Sequence, residues 1–493
     1  MKHTKLFAVL LALILVLSTF LVACDPDDSG DDETGGGTTT APGSTAESTE
    51  EQTIDIPDNV NMNNKTFTVM SCNWYDVEGL AVVDLFPETE SSDPVLSEAY
   101  YRAIKVQEQL KCTIVPFEAP TLDDFVYRLQ QDVMAERVND ILMIRGTHLL
   151  SSVMSTYLAD LDDLEYTDFT APWWDNGSSE TLRVGGKLFF TLGDFSMNPL
   201  RAINMTVYNK DIMKDLKMDN MNEIVTAGEW TVDNMLELAK KAANDVDNSG
   251  TLDNGEVVGF SYMADSIKPL VSSAGVRWIE VDEDGEPYMV ADETKYIDRL
   301  EHLLEVYTDW RYVAETLRYN TDVHGRWRDG ETLFYIAPVF QAEDIRDCEF
   351  DLGIAPLPKY SEEEDYRGSI AAGYCSYIAV PYTNSDYENT GIFMELMAYE
   401  GYKNIRPEFY ENMLLRKVAR DDESAELLDF IFTNIVLDLG DIYNFGQVSG
   451  DIWNMVAYPD DYPPNIASSL AEKVPTVDAE IEAFMEKVRS YGE

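Results

Sequence analysis

The sequence predicts an α/β protein built on parallel sheets with both faces covered. Three observations lead there. Apolar, β-rich runs alternate with amphipathic helical runs from residue 66 to 144, the order of βαβ units. The 493 residues suffice for two or more globular units of roughly 100–200 residues each. Hydrophobic residues make up 45% of the chain and aromatics 11%, enough for a sizeable core, so the body is not a disordered acidic polymer.

Taken in order, Thr66 to Cys72 (TFTVMSC) reads as a buried strand. Residues 94–110 form an amphipathic helix with Val95, Ala99, Ile104, Val106 and Leu110 at its apolar positions. Cys112 to Phe117 is a second strand, Leu122 to Glu136 a second helix, and Asp140 to Ile144 a third strand. Helical patterns follow at 231–244, 293–309, 386–400 and 422–435, with a strand at Val257 to Tyr262. There is no fixed-period repeat, and no Gly/Ser-rich linker divides the body. Cys72 ends one strand and Cys112 begins the next. Parallel neighbours place those ends far apart, which argues against a disulfide between them. The pairing of Cys348 with Cys375 stays open. No CxxC or Cys/His cluster points to zinc.

Lys and Arg number 36 against 91 Asp and Glu, a formal net charge of −55. Such a surface repels phosphate backbones, which excludes a nucleic-acid-binding role, and it disfavours docking on anionic lipid through a basic patch.

The first residues are an address. Lys2 and Lys5 precede an apolar run from Leu6 to Val22, broken by Ser18 and Thr19. Leu21-Val22-Ala23-Cys24 resembles the bacterial lipobox. The resemblance implies removal of residues 1–23 as a signal peptide and diacylation of Cys24, and two acyl chains suffice for stable anchoring. Residues 25–55 hold ten acidic residues and no basic one, with many Gly, Ser and Thr. That composition cannot bury enough apolar surface to order itself, so 24–55 is expected to be a flexible tether outside the membrane.

Further along, Gly186-Lys-Leu-Phe-Phe190, Val207-Tyr-Asn-Lys-Asp211 and Glu229-Trp-Thr-Val-Asp-Asn234 occur in that order. Asp329-Gly-Glu-Thr-Leu333, Gly353-Ile-Ala-Pro-Leu-Pro358 and Gly373-Tyr-Cys-Ser-Tyr-Ile-Ala-Val380 follow. This ordered set resembles the extracellular solute-binding proteins of ABC importers, the family that includes maltose-binding protein and many oligosaccharide-binding lipoproteins. The resemblance spans about 62–490. It implies a type II periplasmic-binding-protein-like fold, two α/β lobes with the ligand between them. It places three crossovers near 203–209, 332–337 and 375–380. Lobe 1 is then 60–205 plus 335–377, and lobe 2 is 207–333 plus 378–493. It also implies an ABC permease as partner, an oligosaccharide as ligand and a monomeric, non-catalytic protein.

The sharpest local motif is Asp245-Val-Asp247-Asn-Ser249-Gly250-Thr251-Leu-Asp253-Asn-Gly-Glu256. It matches a calcium loop at every ligand position. Asp245, Asp247 and Ser249 would offer side-chain oxygens, Thr251 its carbonyl, Asp253 the ninth position and Glu256 a bidentate carboxylate. A strand rather than a second helix follows, so the expected role of Ca²⁺ is structural.

Ligands of open α/β sheets sit beyond the carboxyl ends of the strands. Trp74, Tyr75 and Asp76 follow the first strand, Arg145 and His148 the third, and Asp194 the GKLFF run. Tyr262 and Asp265 follow the strand after the calcium loop. By the resemblance, Tyr335 and Phe340 follow one crossover, Tyr374 lies at another, and Trp453 falls in a C-terminal segment that supplies a stacking aromatic. Aromatic faces suit the C–H face of a sugar, and charged side chains suit its hydroxyls. Trp173, Trp174 and Trp230 read as packing residues, with Thr231 as a helix N-cap. A surface glycosidase is the rival reading, but 91 acidic residues make any carboxylate pair uninformative. The chain has no GxSxG elbow and no HExxH. A glycan-binding adhesive or sensory lipoprotein is the third reading.

Overall fold

The computed structural model describes residues 53–491, apart from 73–84, 138, 175, 249–251, 253–254, 264–265, 309–312, 316–321, 342–347, 412–421, 433 and 459. The signal segment, Cys24 and nearly all of the tether therefore lie outside the described residues, as do Trp74, Tyr75, Asp76, Asp265, Ser249, Thr251 and Asp253. Among the described residues no helix is long and apolar enough to cross a membrane.

Two sheets organise the chain from Ile54 onward. The first has the order β12-β3-β1-β2, with β1 (Lys65–Cys72), β2 (Cys112–Ala119), β3 (Ile141–Arg145) and β12 (Ser376–Ala379). Strand β1 runs parallel to both β2 and β3, as the alternation predicts, and β12 returns antiparallel to β3. The crossovers are α1 (Pro94–Leu110) and α2 (Leu122–Met134). Asp93 caps α1 by accepting the N–H groups of Val95 and Leu96, with Pro94 at the first position. Lys111 closes it in the left-handed region. Thr121 caps α2 through the Asp124 N–H. Lys65 pairs with Cys112 and Cys72 with Ala119, so Cys72 and Cys112 sit at opposite ends of the ladder. All four described cysteines are free thiols.

The second sheet has the order β10-β4-β9-β5-β8, from β4 (Asn204–Asn209), β5 (Val258–Tyr262), β8 (Val313–Glu315), β9 (Thr332–Pro338) and β10 (Leu352–Ala355). Its parallel core is β8-β5-β9, and β4 pairs antiparallel with β9 and β10. Helices α3 (Val232–Ala242), α4 (Ile267–Ser273) and α5 (Thr294–Thr308) belong to this half. Thr231 caps α3 by accepting the Asn234 N–H. A hairpin of β6 (Ile279–Val281) and β7 (Pro287–Met289) and a short ladder of β11 (Gly368–Ser369) with β13 (Ile435–Val436) complete the strands. The helices that close the chain include α6 (Tyr387–Glu400), α7 (Leu439–Ile442) and α8 (Ile466–Arg489).

The boundaries drawn from the resemblance shift in two places. Strand β10 lies in the stretch expected with lobe 1, yet it pairs with β4 in the second sheet. Helix α6 was expected with lobe 2, yet Phe393 stacks on Phe67 of β1 at 4.3 Å between ring centroids and 6° between planes. The expected helix at 422–435 is broken into Asp422–Glu426, Leu428–Phe432 and strand β13. The GKLFF run is no strand. Gly185 and Gly186 take left-handed turn conformations, and a single bridge joins Val184 to Lys187.

Buried charge braces the first half. Arg102 is 3% exposed and donates to the carbonyls of Leu85, Asp194 and Phe195. Glu395 on α6 is 2% exposed and accepts both indole N–H groups, Trp173 at 2.8 Å and Trp174 at 2.7 Å. Helix α8 touches both halves, packing on residues 149–154 of the first and on α5 of the second. Its Phe484 packs on Tyr443 at 4.8 Å, and just beyond it Tyr491 packs on Phe189 at 4.6 Å and donates to the Val153 carbonyl.

Candidate functional site

A cavity of about 220 Å³ lies where the two sheets present corresponding ends. Thr147 reaches it just beyond β3, Met263 just beyond β5, and Pro338 from the end of β9. These are carboxyl ends of strands in the parallel cores, where α/β folds bind ligands. Asn204 opens β4, and Gly373 and Tyr374 precede β12. The antiparallel strands thus bring their amino ends to the same place. Lys268 and Ser272 of α4 form one wall, and Asp441, Tyr443 and Asn444 around α7 form another.

Most polar groups on these walls are satisfied internally. Asn204 donates to the Ser369 carbonyl at 3.1 Å, Ser266 to the Ile336 carbonyl at 3.2 Å, and Ser272 to the Lys268 carbonyl at 3.2 Å. Asn444 accepts from Ser449 at 3.3 Å. Asp441 and Tyr443 are closed off from solvent. The Asp441 carboxyl is hydrogen-bonded by Ser449 and Trp278, while its Oδ1 and the Tyr443 hydroxyl have no aligned partner among the described residues. Burial raises the Asp441 carboxyl above the usual range, opposed by Lys268, Ser449, Trp278 and Arg277. Behind it, Asp438 caps α7 and accepts the N–H groups of Trp278, Ile279 and Gly440 at 2.8, 3.3 and 2.7 Å. Burial, helped by the Asp441 charge, pushes Asp438 up to about 7.

Of the expected ligand residues that the structure describes, Tyr374 lines this cavity. Phe340 is 5% exposed and sits behind it, ring to ring at 5.6 Å. Arg145 holds the Gly373 carbonyl at 2.7 Å and so supports the wall without forming it. His148 stands beside the lining residue Thr147, and burial and the Arg145 charge lower its pKa. The remaining expected residues belong elsewhere. Asp194 is 4% exposed and accepts from Arg406 at 3.0 Å, an ion pair inside the first half. Tyr262 is 1% exposed, packs on Phe260 and Tyr307, and donates to the Tyr307 carbonyl. Tyr335 is fully buried against Trp327 and His324. Trp453 pairs with Tyr458 and does not reach this cavity.

Met263, Gln341 and Thr147 line the cavity, each next in sequence to an expected residue: Tyr262, Phe340 and His148. For Tyr262 the reason is periodicity: successive side chains at the end of a strand point to opposite faces, so a one-residue displacement exchanges cavity for core. The other two pairs lie on single helical turns, where neighbouring residues also face different ways. Lys268, Asp441 and Tyr443 were not anticipated. A signal for the last two did exist: Asp438 and Asp441 interrupt an otherwise apolar run from Ile435 to Tyr443.

The acidic loop is a separate site. Asp245, Asp247 and Glu256 offer carboxylate oxygens within 4.8 Å of one another. The loop folds around Glu256, whose Oε1 accepts the N–H groups of Val246 at 2.7 Å and Asp247 at 3.3 Å. Arg326 fastens the far side by donating to the carbonyls of Leu252 and Glu256. Three converging carboxylates repel one another, and the set of oxygen donors fits a hard divalent cation.

No family model and no curated protein sequence matches the chain. Solved structures do. An ABC substrate-binding protein of Listeria monocytogenes, in complex with cycloalternan, superposes with a TM-score of 0.55 at 12% identity, over 85% of this chain and 100% of that one. An ABC transporter solute-binding protein of Thermotoga lettingae, bound to alpha-D-tagatose, gives 0.53 at 13% identity over 85% and 100%. UgpB of Mycobacterium tuberculosis, in complex with glycerophosphocholine, gives 0.54 at 13% identity over 81% and 98%. The chain has the type II periplasmic-binding-protein-like fold, the fold of these ABC solute-binding proteins.

Proposed function

We propose that the protein is a non-catalytic extracellular solute-binding protein that captures a carbohydrate between its two halves and delivers it to an ABC permease. The observation that carries this reading is the cavity, about 220 Å³ in volume and walled by both halves at their strand ends. Hinge closure around a solute there gives the ligand preference for one state that capture requires. Cycloalternan and alpha-D-tagatose, named with two structures of the same fold, favour a sugar. The net charge of −55 steers anions away and agrees with a neutral solute. Cys24 would carry the lipid anchor and the acidic tether would hold the body clear of the membrane. The test is a thermal-shift screen with mono- and oligosaccharides, amino acids and peptides. A solute at 100 times its Kd adds about 2.7 kcal/mol to the folded state, a visible rise in Tm. A shift without product formation supports the reading. Cleavage of the bound glycan would make the protein a hydrolase instead, and no shift with any solute would refute capture.

A structural Ca²⁺ at the 245–256 loop belongs to the same proposal. It is supported by the convergence of Asp245, Asp247 and Glu256. Calcium at millimolar level should raise Tm, a chelator should reverse the rise, and no response to calcium would refute the site.

A further inference from the structure

We propose that the carboxamides of Asn204, Gln341 and Asn444 set the specificity of the cavity, by reading the hydroxyl groups of a sugar. The inference deepens the solute-binding reading and rests on it.

All three side chains line the cavity, and each comes from a different place: Asn204 opens β4, Gln341 lies just past β9, and Asn444 just past α7. Each is held at one end and open at the other. Asn204 is 3% exposed, and its Nδ2 donates to the Ser369 carbonyl at 3.1 Å, which fixes the amide plane. Its Oδ1 has no partner among the described residues. Unlike the Asp441 Oδ1 and the Tyr443 hydroxyl, that oxygen is not shut off from solvent, so the little of Asn204 that is accessible opens on the cavity it lines. Asn444 stands on a left-handed backbone, φ 51°, a conformation that Asn tolerates better than most residues. Helix α8 braces the loop behind it: Glu480 accepts the Gly446 N–H at 2.8 Å, and Lys473 donates to the Gly446 carbonyl at 3.0 Å. Ser449 engages the Asn444 Oδ1 at 3.3 Å, which leaves the Nδ2 open and without a partner among the described residues. Gln341 makes a 3.9 Å contact from its Nε2 to the Met263 sulfur, a weak acceptor, and its Oε1 has no partner among the described residues.

The chemistry of the open arms names the class of group they meet. A carboxamide offers N–H donors on one arm and an accepting oxygen on the other, without charge. With the anchored arms set aside, Asn204 presents an acceptor to the cavity, Asn444 a donor and Gln341 both. A hydroxyl donates and accepts at once, so it matches every one of them. A carboxylate has no proton for the Asn204 oxygen, and an ammonium has no lone pair for the Asn444 amide. The charged groups on these walls, Lys268 and Asp441, lie close enough to offset each other in part. Tyr374 adds an aromatic surface to the same cavity, suited to the C–H face of a sugar. A site built to hydrogen-bond a hydroxyl rejects the analogue that lacks it, because its own polar groups are then left unmet. The burial of Asn204 makes that rejection strongest at its position.

The test titrates the wild-type protein, N204A, Q341L and N444G calorimetrically with glucose, galactose, mannose, xylose and maltose. Glycine is chosen at 444 because it keeps the left-handed backbone while removing the amide. The monodeoxy analogues of whichever sugar binds are then run on the same four proteins. Each variant should bind the parent sugar about fivefold or more weakly than wild type. At least one deoxy analogue should bind the wild type about tenfold or more weakly than its parent. In N204A, or in the variant whose amide that hydroxyl meets, the parent and this analogue should bind alike, because the two losses remove one interaction and do not add. N204A also removes the hydrogen bond to Ser369, so if it fails to fold the decision passes to Q341L and N444G with the same analogues. Parent binding undiminished in the variants would overturn the proposal. So would a deoxy penalty that persists in full in every variant, since other groups would then be reading the hydroxyls. Binding of an amino acid or peptide from the wider thermal-shift panel, with no sugar bound, would refute this inference and leave solute capture standing. Failure of every probe would refute both.

Discussion

Replacing Glu395 with Gln tests the account of the core in the first half. The carboxylate is 2% exposed and takes one indole N–H on each oxygen. Burial is the dominant influence and raises its pKa from 4.5 to about 7, against the opposing pull of the two indoles and the Asp168 N–H. The folded form therefore holds a proton between pH 4.5 and about 7 that the unfolded form has lost. Stability from this group falls as pH rises through that window, by about 3 kcal/mol at ~1.36 kcal/mol per pH unit. A Gln has one acceptor oxygen and cannot serve both indoles, which leaves one buried N–H unmet at a cost of about 1–3 kcal/mol. It carries no charge at any pH. E395Q should thus be less stable than wild type by about 1–3 kcal/mol at pH 5, with the deficit shrinking by about 3 kcal/mol toward pH 8. Urea unfolding of both proteins at pH 5, 6, 7 and 8 reads this difference directly, and the remaining carboxylates cancel in the comparison. A deficit that stays constant with pH, or grows as pH rises, would refute the reasoning.

Three further outcomes are expected. Asp438→Ala removes the cap of α7 and strands three N–H groups, so it should cost about 2–4 kcal/mol in urea unfolding. Gly391→Ala would place a methyl 1.8 Å from the Glu165 carbonyl oxygen, forcing α6 off the first sheet. Overpacking of that kind costs about 1–3 kcal/mol or more, seen as a lowered Tm or as insoluble expression. Glu256→Gln should abolish the Tm rise expected with millimolar calcium while leaving the proposed solute response intact, since its loop is separate from the cavity.

Much of the fold was legible. Alternating apolar patterns located β1, α1, β2, α2 and β3 to within a few residues, because each element carries its own periodicity and caps. The Asp93-Pro94 start of α1 is written in the sequence. Partner choice is not local in this way. Nothing within residues 352–355 says that β10 joins β4, and nothing within α6 says that Phe393 stacks on Phe67. The cleft was legible as strand ends and not as side chains. The strand-end rule reached Tyr262 and the cavity uses Met263, because register decides which face a residue takes. Asp441 and Tyr443 come from around α7, just past the short strand β13, which belongs to neither main sheet, and only folding brings α7 to the cavity.

The last helix turns the fold into an instrument. Helix α8 packs on residues 149–154 of one half and on α5 of the other, and just past the helix Tyr491 packs on Phe189 and donates to the Val153 carbonyl. Relative motion of the halves must slide or twist this one rod at both contacts. An environment-sensitive dye on Ser490→Cys would sit beside the far contact, out of the solute's way. Its emission would report occupancy in real time, making the protein a reagentless sensor for the proposed solute.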